Sequence, residues 1–122
     1  MDRTFLLLGA ILSFLAVGLG AFGAHGLRGR LSPEMLAVFE TGVRYHMYHA
    51  LAIVLTSLVM ARMGGWLVTT AGWCFFGGIL LFSGSLYALA FSGVTVLGAI
   101  TPLGGLAFLA GWACLAIAAS AA

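Results

Sequence analysis

The longest uncharged stretch of the chain constrains its fold more than any other feature. The charged residues all lie within the first 62 positions, and every residue from 63 to 122 is uncharged. Only 7% of the chain is charged and 63% is hydrophobic, whereas an average soluble domain has about 25% charged residues. A water-facing surface cannot be built from this composition. We therefore predict an integral membrane protein whose C-terminal half lies almost wholly in lipid.

Four apolar windows follow one another along the chain. They cover residues 4–24, 46–62, 66–90 and 97–120 approximately, and a spanning helix needs about 20 predominantly apolar residues. The windows lack the alternation of polar and apolar residues that a transmembrane barrel requires. We therefore predict an all-α fold, with residues 1–122 as a single transmembrane domain. Its architecture would be a compact antiparallel four-helix transmembrane bundle.

The first window has some features of a signal peptide, because it begins after Arg3 and ends on small residues. Its apolar region of about 18 residues exceeds the 7 to 15 residues that are usual for a signal. We therefore expect a retained helix. Cleavage near His25 is the alternative, and an intact-mass measurement distinguishes the two.

The only water-compatible segment lies between the first two windows. Gly26 and Gly29 interrupt the first helix, and the sequence Ser-Pro-Glu at 32–34 is typical of a helix start, with Ser32 as the N-cap and Pro33 at the first helical position. A helix from Pro33 through Ala61 would be about 43 Å long, whereas the hydrocarbon core is roughly 30 Å thick. We therefore expect an interfacial helical segment from residue 33 that leads into the second span.

In an antiparallel bundle, the informative polar residues meet at one face of the membrane. The first and third helices end at this face, and the second and fourth begin there. The predicted site residues are His25, Glu40, Arg44, Tyr45, His46, His49, Ser83, Ser85, Tyr87 and Thr101. The sequence thus predicts a polar or ligand-binding site at one membrane face.

Arg44 stands where the second apolar window begins. A charge within a membrane is costly, with insertion scales giving about 2.5 to 3.5 kcal/mol for arginine at the helix centre. Glu40 precedes Arg44 by one helical turn, so an ion pair between them would lower that cost. The alternative is that the arginine side chain reaches the lipid headgroups. The same helix turns Tyr45, His46 and His49 to another side, which we expect to face the bundle.

The three histidines allow three interpretations. His46 and His49 are three residues apart, so both imidazoles could reach one metal ion, with His25 as a third ligand; such a set suits a transition metal or haem better than calcium. We favour hydrogen bonds from the histidines to Ser83, Tyr87 or a loop carbonyl. Proton handling is the third interpretation, because histidine titrates near neutral pH. No cofactor is firmly implied.

Several other function classes find little support. A net charge of +2 without a basic cluster argues against nucleic acid. Cys74 and Cys114 lie in apolar runs with no CxxC or CxxH partner, so we expect neither a disulfide framework nor a zinc site. The chain carries no nucleophile elbow, P-loop or zinc-protease motif, which argues against an enzyme. An oligomeric transporter or channel stays open, although the two halves share no repeat.

Four segments of the chain combine small residues with the polar residues of the predicted site. They are GAFGAHGL at 20–27, ETGVRYHMYHALA at 40–52, FSGSLYAL at 82–89 and LGAITPLGGLAFLAGW at 97–112. In this order, they resemble the signature segments of the domain-of-unknown-function 423 family of small bacterial membrane proteins. The resemblance implies four transmembrane helices in a bacterial plasma or inner membrane, and a similarity to the animal transmembrane-protein-256 family. It also implies that the predicted site residues, together with Pro102, are the positions that mark the family. It implies no particular activity.

We therefore expect a multi-pass protein of the bacterial inner membrane that acts as a non-enzymatic binding or accessory protein. Its polar face, anchored by Arg44 and the histidines, would bind a partner protein, a lipid headgroup or a small ligand. Besides the lipid bilayer, its partners would include another protein or further copies of the chain. The positive charges on the two sides of the membrane are nearly balanced, so the sequence does not set the orientation.

Overall fold

The computed structural model describes residues 2–121, which are almost entirely helical. The α-helices in chain order are α1 (Asp2–His25), α2 (Pro33–Met60), α3 (Trp66–Gly78), α4 (Gly84–Ser92) and α5 (Thr101–Ala121). A π-helical segment, Ile79–Ser83, joins α3 to α4 without a break, and a short 3-10 helix, Thr95–Ala99, precedes α5. The predicted all-α class is therefore confirmed over the described residues.

The start of α2 lies where the Ser-Pro-Glu sequence indicated. The Ser32 side chain accepts a hydrogen bond from the backbone N–H of Met35 at 3.1 Å, and Pro33 occupies the first turn. These contacts satisfy a backbone donor that would otherwise lack a partner at the helix end. From there α2 continues through 28 residues. The interfacial segment and the second apolar window are thus one uninterrupted helix.

Three helical stretches among residues 2–121 are long and apolar enough to cross a membrane. They are Arg3–His25, Trp66–Ser92 and Thr95–Ala121. The sequence predicted four such spans, and α2 is the one that is not among the three. It is long enough, but Glu40 and Arg44 together with two histidines lower its mean hydropathy. Length and composition therefore identify three candidate spans rather than four.

The helices α1 and α2 pack closely as an antiparallel pair. A Cβ atom added to Gly9 would lie 2.6 Å from Cγ2 of Val54, and one added to Gly23 would lie 2.7 Å from Cε1 of Phe39. Because these glycines have no side chain, the two backbones approach each other near both ends of α1. The contacts also fix the register, since residue 9 faces residue 54 and residue 23 faces residue 39.

α2 lies at the centre of the packing. It contacts α1 on one side and α3, the π segment and α4 on the other, and α5 packs against α3 and the π segment. The central core draws on all these helices, with Phe5, Ile53, Phe75 and Phe108 among its buried members. The polar residues His46, His49 and Thr56 of α2 are buried as well. Protein therefore surrounds the side of α2 that carries these three residues.

Candidate functional site

His49 is enclosed by aromatic rings in the middle of the bundle. The indole N–H of Trp112 donates to Nε2 of His49 at 3.1 Å, and Nδ1 lies 2.9 Å from the backbone carbonyl of Tyr45. Because Nε2 accepts a hydrogen bond, the ring proton must be on Nδ1, which donates to that carbonyl. The ring of Phe108 stacks on the imidazole with centroids 3.5 Å apart. Both nitrogens of His49 are thus engaged within the protein.

His46 joins α2 to α4. Its Nδ1 lies 2.8 Å from the hydroxyl of Tyr87, and the histidine is only 4% exposed. Within residues 2–121, Nε2 of His46 and the hydroxyl of Ser13 on α1 are buried without a hydrogen-bond partner. The structure therefore brings together two of the predicted site residues, His46 and Tyr87, inside the protein.

The predicted serines and threonine connect the other helices. The Ser83 hydroxyl at the end of the π segment donates to the backbone carbonyl of Gly42 at 2.7 Å. A Cβ atom at Gly42 would lie 2.9 Å from Cε1 of Tyr87, so the glycine allows α4 to approach α2. The hydroxyls of Ser85 and Thr101 share a hydrogen bond of 2.6 Å between α4 and α5. These contacts hold helices together and leave the groups little freedom to bind anything else.

Arg44, Glu40, Tyr45 and His25 lie outside this buried set and are exposed. The ion pair that the sequence suggested between Glu40 and Arg44 does not form: in the described part of the chain no carboxylate lies within pairing distance of Arg44. Instead, both side chains line an open groove of about 170 Å³ between α1 and α2, which we call the α1–α2 groove. Its lining residues are Gly20, Phe39, Glu40, Val43 and Arg44. The charged residues of the predicted site therefore line this groove and do not surround His46 and His49.

The three histidines do not converge on one point. His25 is exposed at the end of α1, whereas His46 and His49 are buried in different contacts. Among residues 2–121, no group of three histidine, cysteine, aspartate or glutamate side chains could hold a metal ion. The site residues thus divide into an internal hydrogen-bonded set and an exposed set, which includes the charged pair Glu40 and Arg44.

Sequence reasoning missed the two residues of α5 that enclose His49. Trp112 supplies a hydrogen-bond donor and Phe108 a stacking surface. One signal was available, because a tryptophan inside an apolar helix has an N–H that needs a partner when buried. Nothing in the sequence linked that donor to a histidine on α2.

Comparison with known proteins identifies the family of the chain. The family model described as "Protein of unknown function (DUF423)" matches residues 19–105. The UPF0382 membrane protein YwdK of Bacillus subtilis is 53% identical over 96% of each chain. The UPF0382 membrane protein SH2409 of Staphylococcus haemolyticus is 47% identical over 94% of this chain and 93% of its own. No solved structure matches. The chain therefore belongs to the DUF423 family, and with its several candidate spans it is a multi-pass membrane protein.

Proposed function

We propose that this protein is a non-enzymatic component of the bacterial cytoplasmic membrane that binds a lipid headgroup or a partner protein through the exposed face around Arg44. The observation that carries the proposal is the separation of its polar groups. His46, His49 and Ser83 are hydrogen-bonded inside the bundle, whereas Arg44 and Glu40 are exposed beside a groove. Groups paired in the interior stabilise the fold, whereas the exposed Arg44 and Glu40 share a groove in which a ligand can reach both charges.

We also propose that α2 is a fourth span, which completes the four-helix transmembrane bundle. Its packing supports this arrangement, because α2 runs along α1 from Gly9 to Gly23 and contacts α3 and α4 on its other side. Polar residues in a membrane-spanning helix characteristically face the interior of a bundle. The buried His46 and His49 fit that pattern, and they account for the low hydropathy of a helix that still crosses the membrane.

The proposal is tested by replacing Arg44. We expect Arg44→Ala to insert normally but to retain at least about tenfold less of a copurifying lipid or protein, because it loses charge-assisted hydrogen bonds. The measurement is mass spectrometry of protein purified in mild detergent. Arg62→Ala is the matched control, since Arg62 is also exposed but lies beyond the opposite end of α2. Identical copurification profiles for wild type and Arg44→Ala would exclude the proposal.

A further inference from the structure

The α1–α2 register sets the depth of Arg44. A Cβ atom on Gly20 would lie 3.3 Å from Cγ1 of Val43, so Arg44 is level with about Leu19 of α1. This position is six residues before the end of α1 at His25, or about 9 Å along the helix axis. When α1, about 36 Å long, is centred across a hydrocarbon core about 30 Å thick, about 3 Å of the helix extends beyond the core at each end, so Arg44 starts about 6 Å inside the hydrocarbon.

An arginine at that depth needs a partner. Arg44 is exposed on the outer side of α2, and no carboxylate of the described residues pairs with it. On α1 the groove is lined by Gly20, which has no side chain, so α1 leaves the space beside the guanidinium open to lipid. The Cα–Cβ bonds of a helix tilt toward its N-terminus, which for α2 is the nearer membrane surface. The side chain is thus directed along the groove toward the headgroups.

The α1–α2 groove places two opposite charges in a defined order. Glu40 lies one turn before Arg44 and therefore about 6 Å closer to the membrane surface. The rest of the lining, Gly20, Phe39 and Val43, is apolar. A purely anionic headgroup would meet the carboxylate of Glu40 unfavourably. A headgroup with a phosphate and, further toward water, an ammonium would match both charges.

We propose that the α1–α2 groove binds a phospholipid whose headgroup carries both a phosphate and a primary ammonium. Arg44 donates hydrogen bonds to the phosphate, Glu40 accepts them from the ammonium, and the upper part of an acyl chain lies against Gly20 and Val43. Charge-assisted hydrogen bonds of this kind are roughly twice as strong as neutral ones. The inference rests on the proposed function, because it names the ligand class of the same exposed face.

The test compares three synthetic phospholipids with identical acyl chains on detergent-purified protein, with native mass spectrometry as the measurement. We expect wild type to bind phosphatidylethanolamine about tenfold more tightly than phosphatidylglycerol or phosphatidylcholine. Phosphatidylglycerol has no ammonium, and the ammonium of phosphatidylcholine has no N–H to donate. Glu40→Gln should remove the preference for phosphatidylethanolamine. Arg44→Gln should weaken the binding of all three lipids, whereas Arg44→Lys should keep the contact with the phosphate. Arg62→Gln is the control and should match wild type.

The outcomes separate this inference from the proposed function. If wild type does not discriminate among the lipids, or Glu40→Gln keeps the preference for phosphatidylethanolamine, the ligand class is wrong. Weaker binding of all three lipids to Arg44→Gln would still support the proposed function in that case. If Arg44→Gln binds every lipid as wild type does, the lipid site is excluded, and the copurification experiment decides whether the face binds a protein.

Discussion

At the scale of single residues, the two buried histidines act as connectors between helices. His49 occupies a position where a hydrocarbon side chain would leave the indole N–H of Trp112 without an acceptor, and where a smaller one would open a cavity beside Phe108. This hydrogen bond is part-buried, and a donor left without a partner away from water costs about 1–3 kcal/mol. The polar side chain is therefore explained by its local contacts and does not require a bound ligand.

This explanation predicts the effect of removing the ring. His49→Ala should lower the free energy of unfolding by about 2–4 kcal/mol, because it leaves a cavity and an unpaired donor. The measurement is unfolding in mild detergent titrated with a denaturing detergent. His25→Ala is the matched control, since His25 is exposed, and should change stability by less than about 0.5 kcal/mol. Equal stability of the two variants would contradict the connecting role of His49.

At the scale of elements, the π segment allows the helical stretch of the third apolar window to pack closely against α5. Segments of this kind are usually single-turn insertions that interrupt the α-helical hydrogen-bond pattern. At Ile79–Ser83 the insertion brings the backbone of Phe82 against Gly104 of α5, where an added Cβ would collide with the Phe82 backbone. It also ends on Ser83, whose hydroxyl reaches Gly42. The irregular turn thus contacts two neighbouring helices at once.

Adjacent glycines on α5 provide a test of this contact. Gly104→Ala should destabilise the protein by about 1–3 kcal/mol, because backbone cannot move aside as a flexible side chain can. Gly105→Ala should be neutral or slightly stabilising, since its Cβ would lie 4.0 Å from the nearest atom, Cδ2 of Phe82, and alanine favours helix. Denaturing-detergent titrations compare the two variants. If they were equally stable, the π segment would not depend on close packing against Gly104.

At the scale of the whole molecule, the path of α2 decides the topology. If α2 crosses the membrane, the loop before it and the turn after it lie on opposite sides; if it lies along the surface, both are on the same side. The close antiparallel packing of α2 along α1 favours the crossing, because Arg3–His25 is itself long and apolar enough to span.

Cysteine labelling distinguishes the two arrangements. With Cys74 and Cys114 replaced by alanine, Arg30→Cys and Arg62→Cys place one thiol at an exposed position on each side of α2. A membrane-impermeant maleimide applied to intact spheroplasts should label only one of the two variants, and both should react after permeabilisation. Labelling of both variants in intact spheroplasts, or of neither until permeabilisation, would show that α2 does not cross.

The sequence by itself determined the class of the protein and much of its helical organisation. The uncharged stretch from 63 to 122 leaves no water-soluble alternative, and Ser32 with Pro33 marks the start of α2. These features are local, because the hydropathy of a window and the capping of a helix end depend on residues close together in the chain. The family, too, was recognisable from contiguous segments, and the comparisons confirm it.

Only the tertiary structure decided how the polar residues are used. The sequence could place His49 on a face of α2, but its partner Trp112 lies 63 positions away, and Tyr87 lies 41 positions from His46. Glu40 and Arg44, one turn apart on α2, both line a groove to which α1 contributes Gly20. Burial and pairing arise from contacts between distant segments, and a pattern read along one helix does not contain them. Tertiary packing therefore separated the interior histidines from the exposed arginine.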